Sequence, residues 1–205
     1  LYPNTTGLSA VQYRIADPYF GPPSADDLHS EILLRLPDTH VCYEPIDRII
    51  QPGLPPSLKS GVVTFGSFNN AAKLGDGTIR LWAEVLKKAP NSRLLLKWLR
   101  ADGNAPWIVE RFVARGIPAD RVQIVGPSPS AYRPYLDVDI CLDPLHANGG
   151  TTTCDALWMG VPVVTRPGDT PFSRVGLCHL TNVGPPELIA ADDEAYVRIA
   201  ARSEE

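Results

Sequence analysis

The segment NGGTTTCDALWMG, residues 148–160, concentrates residue types that bind phosphate. Gly149 and Gly150 permit a tight turn after a strand, and Thr151, Thr152 and Thr153 then open a helix. A helix amino terminus presents unsatisfied N–H groups and a partial positive charge, which suits a phosphate. The threonine hydroxyls add further donors. An ordinary reading stands beside this one, since threonine is a common helix cap and Gly-Gly a common turn. Asp155, a turn further on, is placed to accept hydrogen bonds from a ribose. An acid in the first helical turn also simply complements the helix dipole, and taken alone that is the commoner case. Lys73 follows FGSFNNAA (65–72), and a lysine at the mouth of a sheet stabilises charge developing on a departing diphosphate. Taken alone, a loop lysine is usually just solvated.

Other patterns carry less. Asp137-Val138-Asp139 spells the D-x-D with which metal-dependent transferases hold a divalent cation. It sits where a strand begins, the wrong end for a site, and reads as strand punctuation. No G-x-G-x-x-G is present, so a nicotinamide dehydrogenase lacks its main signal, and there is no G-x-x-x-x-G-K-[ST] P-loop. His146 stands two residues before Asn148 and near the glycine pair, where it either lines a pocket or is structural.

The elements that must position these residues form a regular alternation from Gly61 onward. Strands are expected over 62–68, 93–99, 121–126, 138–143 and 161–165, and helices over 78–90 and 106–116, near 130–136 and from Thr151. Ile79, Trp82, Val85 and Leu86 share one helical face, and Gly116 is placed to cap the second helix. Near-continuous apolar strands alternating with helices predict an α/β fold, a Rossmann-like parallel sheet covered on both faces. Ligands in such sheets lie beyond the carboxyl ends of the strands. That directs attention to the loops 67–73, 126–130, 143–155 and 165–174. Residues 1–60 differ: they are proline-rich and weakly periodic, with short strands expected at 11–17 and 31–37 and QPGLPPS (51–57) as a hinge.

Composition narrows the classes. The chain has 205 residues, 44% hydrophobic and 20% charged, an ordinary globular balance. A formal charge of -4 argues against nucleic acid as a partner. Cys42, Cys141, Cys154 and Cys178 are widely spaced without a C-x-x-C pair, which fits reduced, cytoplasmic usage. No apolar run is long enough for a membrane span. The chain opens at Leu1 and stops within DDEAYVRIAARSEE, which reads as an unfinished helix, so a piece of a longer protein is expected.

Together LYPNTTG (1–7), VTFGSFNNAAKL (63–74), DICLDPLHANGGTTTCDALWMGVPVVT (139–165) and SRVGLCHL…ELIA (173–190) resemble the O-linked N-acetylglucosamine (O-GlcNAc) transferase family, including its bacterial and SPINDLY-like members. The resemblance implies a GT-B glycosyltransferase of two Rossmann-like lobes. Residues 61–205 would be most of the nucleotide-sugar-binding lobe, and residues 1–60 the end of the N-terminal lobe plus the crossover. The remainder of that lobe, and the tetratricopeptide repeats usual in relatives, would lie upstream. By motif, Lys73 corresponds to the lysine that neutralises the leaving diphosphate and is the implied catalytic residue. Asn70 corresponds to a phosphate contact, Gly149, Gly150, Thr151 and Thr152 to the pyrophosphate cradle, and Asp155 to the ribose contact. Relatives commonly carry a histidine where this chain has Ala131, so base recognition around Ala131 and Arg133 would rest on backbone groups.

The implied reaction is inverting, metal-independent transfer of N-acetylglucosamine from UDP-GlcNAc to Ser/Thr hydroxyls of proteins, with no cofactor. Two alternatives remain. One is O-fucosyl transfer from GDP-fucose, and the other is a nucleotide-sugar-binding module without turnover of its own. No base for the acceptor hydroxyl emerges from the sequence.

Overall fold

The computed structural model describes residues 4–46, 48–97 and 105–202. The end of the strand expected over 93–99 lies outside them, as do the first three residues of LYPNTTG and the last three of DDEAYVRIAARSEE. The N-terminal part contributes two short strands, β1 (Tyr13–Ala16) and β2 (Ile32–Arg35), paired in parallel as a separate sheet. Their alternation places Tyr13, Ile15, Ile32 and Leu34 on an exposed face, while Ala16 and Leu33 pack with Ala25. A single-turn helix, α1 (Ser57–Ser60), starts inside the expected hinge and ends on Gly61 in the left-handed conformation.

Five parallel strands follow: β3 (Val63–Ser67), β4 (Ser92–Lys97), β5 (Val122–Val125), β6 (Ile140–Leu142) and β7 (Val163–Val164). Their order across the sheet is β5-β4-β3-β6-β7. The chain thus works outward from β3 to one edge, then returns past β3 to build the other half. The reversal between β3 and β6 is the switch point at which α/β sheets open a crevice for ligands.

Side chains alternate between two cores. Leu94, Leu96, Ile140, Leu142 and Val164 join the side chains of α2 (Asp76–Lys88), α3 (Pro106–Val113) and α6 (Asp193–Arg202). Leu95, Cys141 and Val163 meet Tyr132, Tyr135 and Ala156, the last from α4 (Thr151–Trp158). The four apolar positions expected to share a face of α2 are all fully buried, with Asp76 in its first turn and Lys87 and Lys88 in its last. Trp82 donates to the Tyr196 hydroxyl at 3.2 Å, and that hydroxyl donates to the Asp143 carbonyl at 3.0 Å. This core therefore anchors the loop that leaves β6.

Several expected elements are shorter or of another kind. The stretch near 130–136 is a 3-10 helix over Arg133–Asp137. The strand expected over 138–143 begins only at Ile140, and before it the Asp139 carboxylate accepts backbone N–H groups, Thr64 at 2.8 Å and Ser57 at 2.9 Å. The D-x-D aspartates thus lie at the amino end of the strand, away from the ligand side. A further helix, α5 (Val175–Val183), was not legible in the sequence, and it ends on left-handed Gly184.

Candidate functional site

The loops leaving β3 and β6 converge at the switch point. After β3 the chain turns through Asn69 and Asn70 into a single 3-10 turn that carries Lys73. The Lys73 ammonium donates to the Asn148 carbonyl at 2.7 Å and to Asn69 Oδ1 at 3.1 Å. Asn69 Oδ1 also accepts the Thr152 hydroxyl at 3.0 Å, which ties the β3 loop to the first turn of α4. Thr151 and Thr152 follow Gly150, the residue at the N-cap, and their N–H groups have no acceptor among the described residues. A positive side chain and a helix amino terminus thus share one small region.

Gly149 is required by close approach: a β-carbon there would stand 2.3 Å from Thr153 Oγ1 and 2.7 Å from Thr152 Oγ1. Its N–H donates to Asp143 Oδ1 at 2.6 Å, and the other oxygen of that carboxylate accepts the Thr165 hydroxyl at 2.7 Å. Asp143 is fully buried, and burial pushes its pKa up to about 6 against these hydrogen bonds and the Lys73 charge. Burial likewise pulls Lys73 below the ordinary lysine range, and the Asp143 carboxylate works in the opposite sense. The pair places a carboxylate beneath the lysine without a direct contact between them.

The sequence-predicted residues separate into groups. Lys73, Gly150 and Thr151 line one cleft of about 420 Å³, together with His40 and Tyr43 of the N-terminal stretch and His179 of α5. Thr152 joins through Asn69. Asn70 is exposed, and its side-chain carbonyl accepts the Ala72 N–H at 2.9 Å; the neighbouring Asn69 is the one that meets Lys73 and Thr152. Asp155 accepts the Tyr43 hydroxyl at 2.7 Å, and Tyr43 in turn meets the Tyr132 hydroxyl at 3.0 Å. Ala131 packs against the core cluster that contains Tyr132, whereas Arg133 is exposed. His146 is also exposed and lies near Gly77 rather than in the cleft.

Sequence reasoning missed Asn69, Asp143, Tyr43, His40 and Asp17. Asp143 ends an apolar strand just before the loop, a legible signal for a site residue. Asp17, His40 and Cys178 bring three potential metal-ligand atoms within 4.8 Å of one another. Such convergence cannot be read from positions so far apart in the chain.

Comparison with known proteins identifies the family and the fold. Residues 49–205 match the profile of Glycosyl transferase family 41. A protein of Petunia hybrida named probable UDP-N-acetylglucosamine--peptide N-acetylglucosaminyltransferase SPINDLY is 38% identical over 97% of this chain, which spans 22% of that protein. The UDP-N-acetylglucosamine--peptide N-acetylglucosaminyltransferase of Caenorhabditis elegans is 34% identical over 71% of this chain and 13% of its own length. Among solved structures, a mutant O-GlcNAc transferase of Thermobaculum terrenum superposes with a TM-score of 0.88 at 33% identity, covering 98% of this chain and 39% of the other. The lipopolysaccharide glycosyltransferase WaaG, at 13% identity, TM-score 0.61, 98% of this chain and 55% of the other, shares the fold alone. The chain therefore spans about a fifth of the length of the curated relatives it matches. Its fold is that of the GT-B glycosyltransferases.

Proposed function

Because this chain belongs to glycosyl transferase family 41, we propose that it supplies the donor-binding part of an inverting protein O-GlcNAc transferase that uses UDP-GlcNAc. The observation that carries the reading is the meeting of Lys73 with the amino terminus of α4 at the switch point between β3 and β6. Departure of UDP leaves negative charge on the diphosphate. A partly buried ammonium and two free helix N–H groups stabilise that charge. In this reading they take the part that a divalent cation plays in other transferases, so no metal is needed. Relatives named as peptide N-acetylglucosaminyltransferases support the choice of donor and of a protein acceptor. The reading places the enzyme in the cytoplasm. The four cysteines are free and no helix among the described residues is long and apolar enough to cross a membrane, both of which are compatible with that.

Calorimetric titration with UDP, with GDP as competitor, tests the site. UDP is expected to bind in preference to GDP, and Lys73→Ala to weaken it by at least about tenfold, roughly 1.4 kcal/mol. Preference for GDP would turn the reading toward a fucosyl donor. Folded protein that binds neither nucleotide would end it.

A further inference from the structure

Asp17, His40 and Cys178 come from three separate stretches and meet beside the cleft. Asp17 follows β1 and is fully buried. Its Oδ1 accepts the N–H groups of Tyr19 at 2.9 Å and Phe20 at 2.7 Å. Its Oδ2 accepts the His40 backbone N–H at 3.1 Å, the Cys178 thiol at 3.1 Å and the His40 Nδ1–H. The His40 ring also lies against Phe20, with centroids 4.4 Å apart. The carboxylate is thus fixed by backbone, and the imidazole by the carboxylate and a ring.

With Nδ1 donating, the neutral ring keeps a lone pair on Nε2. No group among the described residues hydrogen-bonds to that nitrogen, and His40 lines the same cleft as Lys73 and Thr151. A buried carboxylate that orients an imidazole beside a substrate cleft is an acid–base dyad.

We propose that His40, oriented by Asp17, is the general base that accepts the proton of the acceptor hydroxyl, an inference that rests on the donor-site reading above. As the hydroxyl oxygen forms its bond to the anomeric carbon, its proton passes to His40 Nε2. The bond from that carbon to the diphosphate oxygen breaks, and its electron pair leaves on the diphosphate, against Lys73 and the α4 amino terminus. The Asp17 carboxylate stabilises the imidazolium so formed. The other titratable groups near the dyad are Cys42 and Tyr43 of its own stretch, Cys178 and His179 of α5 and Cys154 of α4, with Lys73 elsewhere in the cleft. Burial pushes Cys178 up to about 12 and Cys154 up to about 11, and pulls His179 down to about 4. Cys178, Cys154 and His179 are neutral at working pH, and Asp17 is the negative charge in direct contact with the imidazolium.

The test uses the full-length polypeptide that carries these residues. His40→Phe keeps a ring against Phe20, and His40→Ala opens a space. Both variants remove a hydrogen bond from the buried Asp17 carboxylate and are expected to melt below wild type while still folding, and to bind UDP within about twofold of it, while kcat falls by about 10² to 10⁴. The rise of kcat with pH should vanish in both, and added imidazole should restore part of the His40→Ala rate. Wild-type kcat in the variants overturns the proposal, and so does a lower kcat with an unchanged pH profile and no rescue. A cobalt–thiolate absorption band that Cys178→Ser removes, together with chelator-sensitive activity, would make the cluster a metal site and overturn it also. Failure of the underlying reading is distinguishable, because folded wild-type protein would then not bind UDP at all.

Discussion

Asp143 and His179 are buried ionisable groups on either side of the α4 amino terminus, and burial moves their proton affinities in opposite directions. Asp143 rises from 3.8 to about 6, so the folded chain holds its proton more tightly than the unfolded chain does. Between pH 4 and 6 that contribution falls as pH rises. His179 drops from 6.5 to about 4, so its contribution grows with pH over nearly the same interval. Each shift corresponds to about 3 kcal/mol. Urea unfolding of the wild type should therefore change little between pH 4 and 6.5. His179→Leu should lose stability across that window as pH rises, and Asp143→Asn should gain it. Below pH 4 the Asp17 carboxylate adds a loss as it takes up a proton. Burial raises its pKa, but hydrogen bonds from His40, Phe20 and Cys178 outweigh burial and hold it well below the usual range. Neither Asp17 nor His40 announces this role in the sequence, since each is an isolated polar residue until the fold brings them together.

In the proposed donor site, α4 is the element on which binding turns, and its first turn depends on the missing side chain at 149. Gly149→Ala would drive a β-carbon against two threonine hydroxyls, one of which holds Asn69. The expected cost is about 1–3 kcal/mol of stability, read by thermal melting. A loss of UDP affinity of at least about tenfold, read by calorimetry, should accompany it. The glycine pair and the threonines stood out because phosphate binding draws on few residue types, Lys73 only through the family resemblance, and α2 because its four apolar positions repeat at helical spacing. Helix α5 was not, because VGLCHLTNV carries glycine, threonine and asparagine, which weaken its helical signal. Burial of Gly176, Cys178, His179 and Leu180 overrides that local preference. At Gly176 a β-carbon would stand 2.2 Å from Thr165 Oγ1 and 2.5 Å from Asp143 Oδ2, so the residue that weakens the helix also lets it reach the site. Asn69 was missed because Asn70 occupies the motif position, and only the approach of a residue 83 positions away separates the two.

In the 205-residue chain taken by itself, the outer face of the β1–β2 sheet is apolar. Tyr13, Ile15, Ile32 and Leu34 are each about half exposed or more, and they lie together by register. Contiguous apolar surface of this kind promotes association. Ile15 and Leu34 are directly paired, so Ile15→Lys with Leu34→Glu should reduce light scattering at high concentration. The melting temperature and UDP affinity should stay near wild type, because neither side chain enters a core or the cleft. The strand order has a further, kinetic consequence. A chain that lays down β3, β4 and β5 first has half a crevice and no ligand site, since the partner loop arrives only when β6 docks on the far side of β3. Non-local pairing across so long a connection is expected to form late in folding. Nucleotide would then bind only the finished sheet, stabilising it by mass action and offering no help to the partly folded chain. Variants that fold slowly but correctly should be protected by UDP once assembled, and should be no quicker to assemble in its presence.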